Sequence, residues 1–106
     1  MPQIIPHLIH RAIPSARVGL TGFPNPTRST IDLTFRLADP VPAHLTVCDA
    51  RGRVVRRLVA ADLGAGQHAI RWDGRNDAGR SVTSGVYYVL LQSGCVEARE
   101  KIVVLQ

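Results

Sequence analysis

The sequence predicts an all-β fold: an antiparallel sandwich of about seven short strands, preceded by an extended N-terminal arm. Three observations carry this prediction. Apolar residues alternate with polar ones over runs of five to nine residues, as in Ile31, Leu33, Phe35 and Leu37 against Asp32, Thr34 and Arg36. Such a period of two belongs to a strand with one buried and one wet face. Glycine, proline, asparagine and aspartate punctuate the chain between these runs, and no stretch repeats at helical spacing. The stretch from Trp72 to Tyr88 is the third observation. It joins the end of one strand to the start of another through Asp73-Gly74 and Ala78-Gly79, with glycine available for positive φ.

Taken in order, residues 1–22 form the arm and residues 23–106 the sandwich. The arm holds Pro2, Pro6 and Pro14, whose spacing excludes a regular helix. It is nevertheless apolar, and Ile4, Ile5, Leu8 and Ile9 are its candidate interaction residues, suited to adding a strand to an open sheet edge. Arg17–Thr21 reads as a short first strand, and Phe23-Pro24-Asn25-Pro26 as a rigid turn. Ser29–Leu37 follows as a strand, ended by Ala38-Asp39-Pro40-Val41-Pro42. Ala43–Cys48 is the next strand, with Ala43, Leu45 and Val47 inward. Asp49-Ala50-Arg51-Gly52 is a hairpin turn. Arg53–Ala60 returns, and residues 61–66 make a loop with two glycines. Gln67–Trp72, Val86–Leu91 and Val96–Leu105 complete the set, the last two joined at Gln92-Ser93-Gly94.

The expected core comprises Phe35, Leu45, Val47, Ile70, Trp72, Tyr87 and Leu91, with Trp72, the only tryptophan, filling the space between sheets. If Tyr87, Val89 and Leu91 point inward, Val86, Tyr88 and Leu90 point outward. Tyr88 and Leu90 are therefore further candidate interaction residues. Should their strand lie beside Ala43–Asp49, Thr46 and Cys48 would join them on one apolar outer face, of the kind that marks an interface.

Bulk properties set limits. A chain of 106 residues fits one domain, and 45% hydrophobic content argues against wholesale disorder. Net charge is +5, carried almost wholly by arginine. Arg51, Arg53, Arg56 and Arg57 cluster on one hairpin, but no exposed aromatics interleave with them and no nucleic-acid module is present. They read as a charged rim that keeps an edge strand from pairing, so no nucleic-acid partner is expected. No apolar run approaches the ~18 residues of a membrane span. The first ten residues do not read as a secretory signal, since Pro6 and His7 interrupt the apolar stretch. On that ground alone the chain is expected to be cytosolic or a processed piece of a longer protein.

Candidate chemistry is sparse. Asp73, Asn76 and Asp77 offer oxygen ligands to calcium, yet their spacing is not that of an EF-hand and no bidentate glutamate follows. They are assigned to capping their own turn. His7 and His10 share a face only in a helix, which the flanking prolines forbid. His44 reads as outward, and His68 shares a face with Ile70 and Trp72. Cys48 and Cys95 read either as a disulfide or as two half-buried thiols. No nucleophile signature surrounds Cys48, and no catalytic residue, metal or cofactor is expected.

The ordered motifs support a family resemblance. Pro24-Asn25-Pro26 is followed by Val47-Cys48-Asp49-Ala50-Arg51-Gly52-Arg53-Val54-Val55-Arg56. Gly64-Ala65-Gly66-Gln67-His68, Trp72-Asp73-Gly74 through Gly79, and Ser84-Gly85-Val86-Tyr87 come next, and the chain closes on Lys101-Ile102-Val103-Val104-Leu105. Residues 23–106 thus resemble the Ig-like domain named after the flagellar hook-capping protein, and equally the C-terminal sorting domain of type IX secretion cargo. Cys48 departs from the pattern, standing where the family usually has an aromatic. The resemblance implies an Ig-like, fibronectin III-like, seven-stranded antiparallel sandwich in an exported or cell-surface bacterial protein. It implies a non-enzymatic sorting, anchoring or assembly role, with secretion or surface machinery as protein partner. The alternative is a self-assembling subunit of an extracellular filament or surface layer, a homo-oligomer of copies joined by the N-terminal arm. Neither implies insertion into a membrane.

Overall fold

The computed structural model describes residues 18–93 and 96–106. Among them lie seven strands: β1 (Thr21–Phe23), β2 (Ile31–Leu37), β3 (Val41–Asp49), β4 (Val54–Leu63), β5 (Gly66–Trp72), β6 (Gly85–Ser93) and β7 (Val96–Val104). They form two antiparallel sheets, one ordered β1-β2-β5 and the other β4-β3-β6-β7. The alternation in β2 is realised residue by residue: Ile31, Leu33, Phe35 and Leu37 are buried. Ala43, Leu45 and Val47 on β3, Tyr87, Val89 and Leu91 on β6, and Ala98, Ile102 and Val104 on β7 meet them from the opposite sheet.

Trp72 ends β5 with no exposed surface. Its indole Nε1 donates to the Arg75 carbonyl at 2.8 Å, which gives the buried ring's one polar atom a partner. Its ring meets Tyr87 edge-on at 6.0 Å, and the Tyr87 hydroxyl donates to the Thr83 carbonyl at 2.7 Å. Phe35 stacks on His68 at 5.4 Å, and His68 Nε2 lies 2.7 Å from the Gly64 carbonyl oxygen.

Several boundaries differ from the sequence expectation. The first strand is Thr21–Phe23 rather than Arg17–Thr21, and Val18 and Leu20 just before it are buried. The sandwich therefore begins ahead of residue 23, and β1 includes the phenylalanine expected in a turn. Val41 and Pro42 belong to β3, opposite Leu63 and Asp62 of β4. Among the described residues β3 meets β6 only from His44 onward, and there no neighbour on that side takes a donor from residue 42, so Pro42 is tolerated. The Pro42 carbonyl accepts instead from the Ser93 hydroxyl at 3.1 Å. For the same reason β4 runs on to Leu63 instead of stopping at Ala60. Ile70 is only half-buried and packs on the core from its margin, because β5 is an edge strand. Ile4, Ile5, Leu8 and Ile9 lie outside the described residues, as does Cys95.

The edges of the larger sheet are closed in part by single side chains. On β7 the Asn25 amide nitrogen donates to the Lys101 carbonyl at 2.9 Å, while its carbonyl oxygen accepts from the Val103 amide at 3.0 Å. Thr27 continues this cover, donating its amide to Val103 and accepting from Leu105. On β4 the Asp77 amide donates to the Val55 carbonyl at 2.9 Å, and the Asp77 carboxylate accepts from the Arg57 amide at 3.0 Å. Both caps occupy backbone groups that would otherwise template another strand.

Candidate functional site

The stretch linking β5 to β6 builds one end of the molecule. Gly74 turns the chain at φ 78° and Gly79 at φ 84°. The Gly74 carbonyl accepts from the Val82 amide at 2.9 Å, and the Arg75–Ser81 bridge holds the two arms of the loop together. Within it, Asp73 Oδ1 accepts from the Arg75 amide at 3.0 Å. Asn76 Oδ1 accepts from the Ala78 and Arg80 amides, both at 3.0 Å. These side chains stand in for backbone partners in their own turn.

The β3–β4 hairpin faces this loop. Asp49 Oδ1 accepts from the amides of Arg51 and Arg53, both at 2.9 Å, and Gly52 takes φ 87° to close the turn. The Arg53 backbone hydrogen bond, with its guanidinium bond and the Arg51 amide, holds the Asp49 carboxyl below its ordinary range despite some desolvation. Between hairpin and loop lies a concavity of about 880 Å³, lined by Asp49, Arg51, Val55, Asp77, Thr83 and Tyr87 among others and broadly open to solvent. It is a shallow saddle rather than an enclosed pocket.

The arginine cluster is largely answered by acids. Arg53 Nε lies 2.9 Å from Asp49 and an Arg57 amino group 3.2 Å from Asp77. Arg56 sits between Asp73 at 3.6 Å and Asp77 at 3.9 Å. These largely solvent-exposed pairs add little stability individually, but those of Arg56 and Arg57 fasten the loop over the β4 edge. Because Asp73, Asn76 and Asp77 already serve amides and guanidiniums, removal of calcium has nothing to undo there. The melting temperature is expected to be the same with EDTA as with added calcium. A midpoint that falls with chelator and recovers with calcium would show linked binding.

Tyr88 and Leu90 lie on the outer face of the larger sheet, half-buried. β3 and β6 are neighbours, with Cys48 opposite Tyr88 and Thr46 opposite Leu90. Register places Val54 and Arg57 of β4 beyond Cys48 and Thr46, and Lys101 and Arg99 of β7 beyond Tyr88 and Leu90. The face is a largely apolar stripe, with Val54 and the Asp77-paired Arg57 on its β4 side and Lys101 and Arg99 on its β7 side. Val54 is 46% exposed, and Cys48 is a half-buried free thiol. Desolvation, then the Asp49 charge, pushes that thiol up, with Arg99 opposing. Such a shift disfavours the nucleophilic thiolate. Among the described residues no cluster of histidine, cysteine and acids could hold a metal ion, and no helix is long and apolar enough to cross a membrane.

Sequence reasoning missed the two edge caps. In the sequence Asn25 stands out only by its place between two prolines. Asp77, expected to cap its own turn, acts instead across to β4.

Two sheets of three and four antiparallel strands, packed face to face around Trp72, define an Ig-like β-sandwich domain. Residues 25–94 match the FlgD Ig-like domain family, and the chain belongs to that family. A basal-body rod modification protein FlgD from Salmonella typhimurium is 43% identical over 54 residues, covering 51% of this chain and 22% of the relative. The chain thus spans under a quarter of the length of the curated relatives it matches. The fold is similar to the FlgD structure of P. aeruginosa, with a TM-score of 0.56 and 23% identity, covering 70% of this chain and 57% of that one. It is also similar to PorZ, described as a surface component of the type IX secretion system of Porphyromonas gingivalis. There the TM-score is 0.59 at 19% identity, covering 83% of this chain and 12% of the other. At these identities the two structures speak to fold alone.

Proposed function

We propose that this domain is a non-enzymatic module of an exported or surface-located bacterial protein, and that it works in assembly, anchoring or sorting by binding other proteins. Family membership over residues 25–94 is the observation that carries the reading. The curated relatives are named for modification of the basal-body rod, and a module in such a protein has protein surfaces as its natural ligands. The chemistry of the site agrees in kind. Its carboxylates cap turns and pair with arginines, and its concavity is an open saddle suited to a protein contour. The apolar stripe through Tyr88 and Leu90, flanked by Lys101 and Arg99 of β7, is the contact surface assigned to this role.

The test is protease shaving of intact source cells carrying the native protein with an epitope beside Gln106. Loss of the epitope from the cell surface, or its appearance in the medium, is expected. An epitope retained in the cytosol throughout growth would overturn the reading. Solution mass addresses the competing role of a filament subunit. A concentration-independent monomer is expected, and open-ended growth with concentration would favour self-assembly.

A further inference from the structure

The end of the sandwich built by the β3–β4 hairpin and the 73–84 loop carries a surplus of positive charge. Residues 49–57 and 73–84 together hold six arginines, Arg51, Arg53, Arg56, Arg57, Arg75 and Arg80, and three aspartates, Asp49, Asp73 and Asp77. All three carboxylates are engaged: Asp49 by Arg53, Asp73 by Arg56, and Asp77 by Arg56 and Arg57. The chain has eight acids, every one of them among the described residues, and the other five stand elsewhere. Asp32 pairs with Arg71 on the smaller sheet. Asp39 lies between β2 and β3, Asp62 is opposite Pro42 and Glu97 opposite Gln92, all at the far end of the sandwich. Glu100 is opposite Val89, midway along β7. No further side-chain carboxylate exists in the chain to balance the surplus.

The saddle lies within this basic end. Arg51 and Arg53 line its hairpin wall, and Val54, 46% exposed, joins half-buried Val55 and Val86 to give it an apolar component. Asp49 fixes the Arg51 backbone by accepting its amide, but commits its ion pair to Arg53, so no acid among the described residues answers the exposed Arg51 guanidinium. We propose that the saddle binds an extended acidic segment of a partner protein, one in which carboxylates alternate with apolar side chains. Carboxylates meet the surplus guanidinium charge in the planar, two-pronged geometry that arginine favours. An extended segment turns successive side chains to opposite sides, so its apolar residues reach the valines while its acids reach the arginines. A dense polyanion fits less well. The Asp49 and Asp77 carboxylates stand in the same lining and would repel evenly spaced phosphates or sulfates. The saddle is a second surface beside the stripe through Tyr88 and Leu90. Peptide binding there goes beyond the assembly role and is measured in solution, independently of where the protein resides.

Fluorescence polarisation on the full-length chain tests it, with a labelled peptide alternating glutamate and valine and a counterpart carrying glutamine in place of glutamate. Two variants accompany the parent: R51E in the saddle, and R36E on β2, opposite Gln67 toward the far end of the smaller sheet. Both arginines are exposed and both substitutions change net charge equally. The glutamate peptide is expected to bind at least about tenfold more tightly than the glutamine peptide. R51E should weaken that binding by about tenfold, and R36E by roughly twofold or less. Amide resonances of Val54, Val55 and Val86 should shift on titration while those of Gln67 and Ala69 stay in place. The same resonance map, unchanged away from the hairpin in R51E, reports that the variant remains folded. Failure of the glutamate peptide to bind at millimolar concentration would overturn the proposal. Equal losses from R51E and R36E would do the same, reducing the effect to general charge attraction. Heparin or polyphosphate binding more tightly at the same resonances would assign this end to a polyanion instead.

Discussion

Replacing Trp72 by alanine is expected to destabilise the domain by about 3–5 kcal/mol, the range for truncating a fully buried large aromatic. The side chain has no exposed surface and sits where β5 gives way to the 73–84 loop. Its loss removes three things together. The space between the sheets empties, the edge-on contact with Tyr87 goes, and the Arg75 carbonyl loses its indole donor. Natural domains hold only about 5–15 kcal/mol in reserve, so the variant should be largely unfolded at 37 °C or melt far below the parent. Urea denaturation followed by far-ultraviolet circular dichroism measures this. A midpoint near that of the parent would mean that the tryptophan is peripheral.

Gly74→Ala is expected to be the most damaging of the single-methyl changes in the loop. Gly74 has φ 78°, and a β-carbon built on it would lie 2.6 Å from the Ser29 carbonyl oxygen. Left-handed backbone costs an L-residue roughly 1–2 kcal/mol before any collision. The collision adds to this, because the atom in the way is backbone and cannot rotate aside. Gly79→Ala provides the comparison. Its φ of 84° imposes a similar strain, but nothing lies within 4 Å of the added carbon. The ordering expected from denaturant midpoints is parent, then G79A, then G74A. Equal losses would show that the Ser29 backbone yields without cost.

The strands that the sequence reveals most clearly are those with a strand on each side. Ile31, Leu33, Phe35 and Leu37 announce β2, and Leu45 and Val47 announce β3, because each faces one core and one solvent. β4 is harder to read. Its pairing with β3 slips at Leu45/Thr46 and again at Val47/Cys48, so its apolar residues fall out of strict alternation. Ala38-Asp39-Pro40-Val41-Pro42 reads in the sequence as the end of β2, yet its last two residues belong to β3, opposite Leu63 and Asp62 of β4. The candidate site shows the same division. The self-capping of Asp73 and Asn76 is local and legible within a few residues. The clamp of Asn25 on β7 and the reach of Asp77 to β4 join residues far apart in sequence, and periodicity carries no trace of them. Whether Tyr88 and Leu90 share a face with Thr46 and Cys48 depended on strand order, which only the fold decides.

The Asn25 clamp bears on how the protein ages chemically. Asparagine side chains convert to aspartate when the backbone nitrogen of the following residue attacks the side-chain amide. At Asn25 that nitrogen belongs to Pro26 and carries no hydrogen. Conversion would be costly here, since a carboxylate cannot donate to the Lys101 carbonyl and would face it with like polarity. Asn76 has a different safeguard: the next backbone nitrogen, that of Asp77, is already bonded to the Val55 carbonyl. The two asparagines that organise this molecule's edges and its largest loop are therefore guarded by their own neighbours.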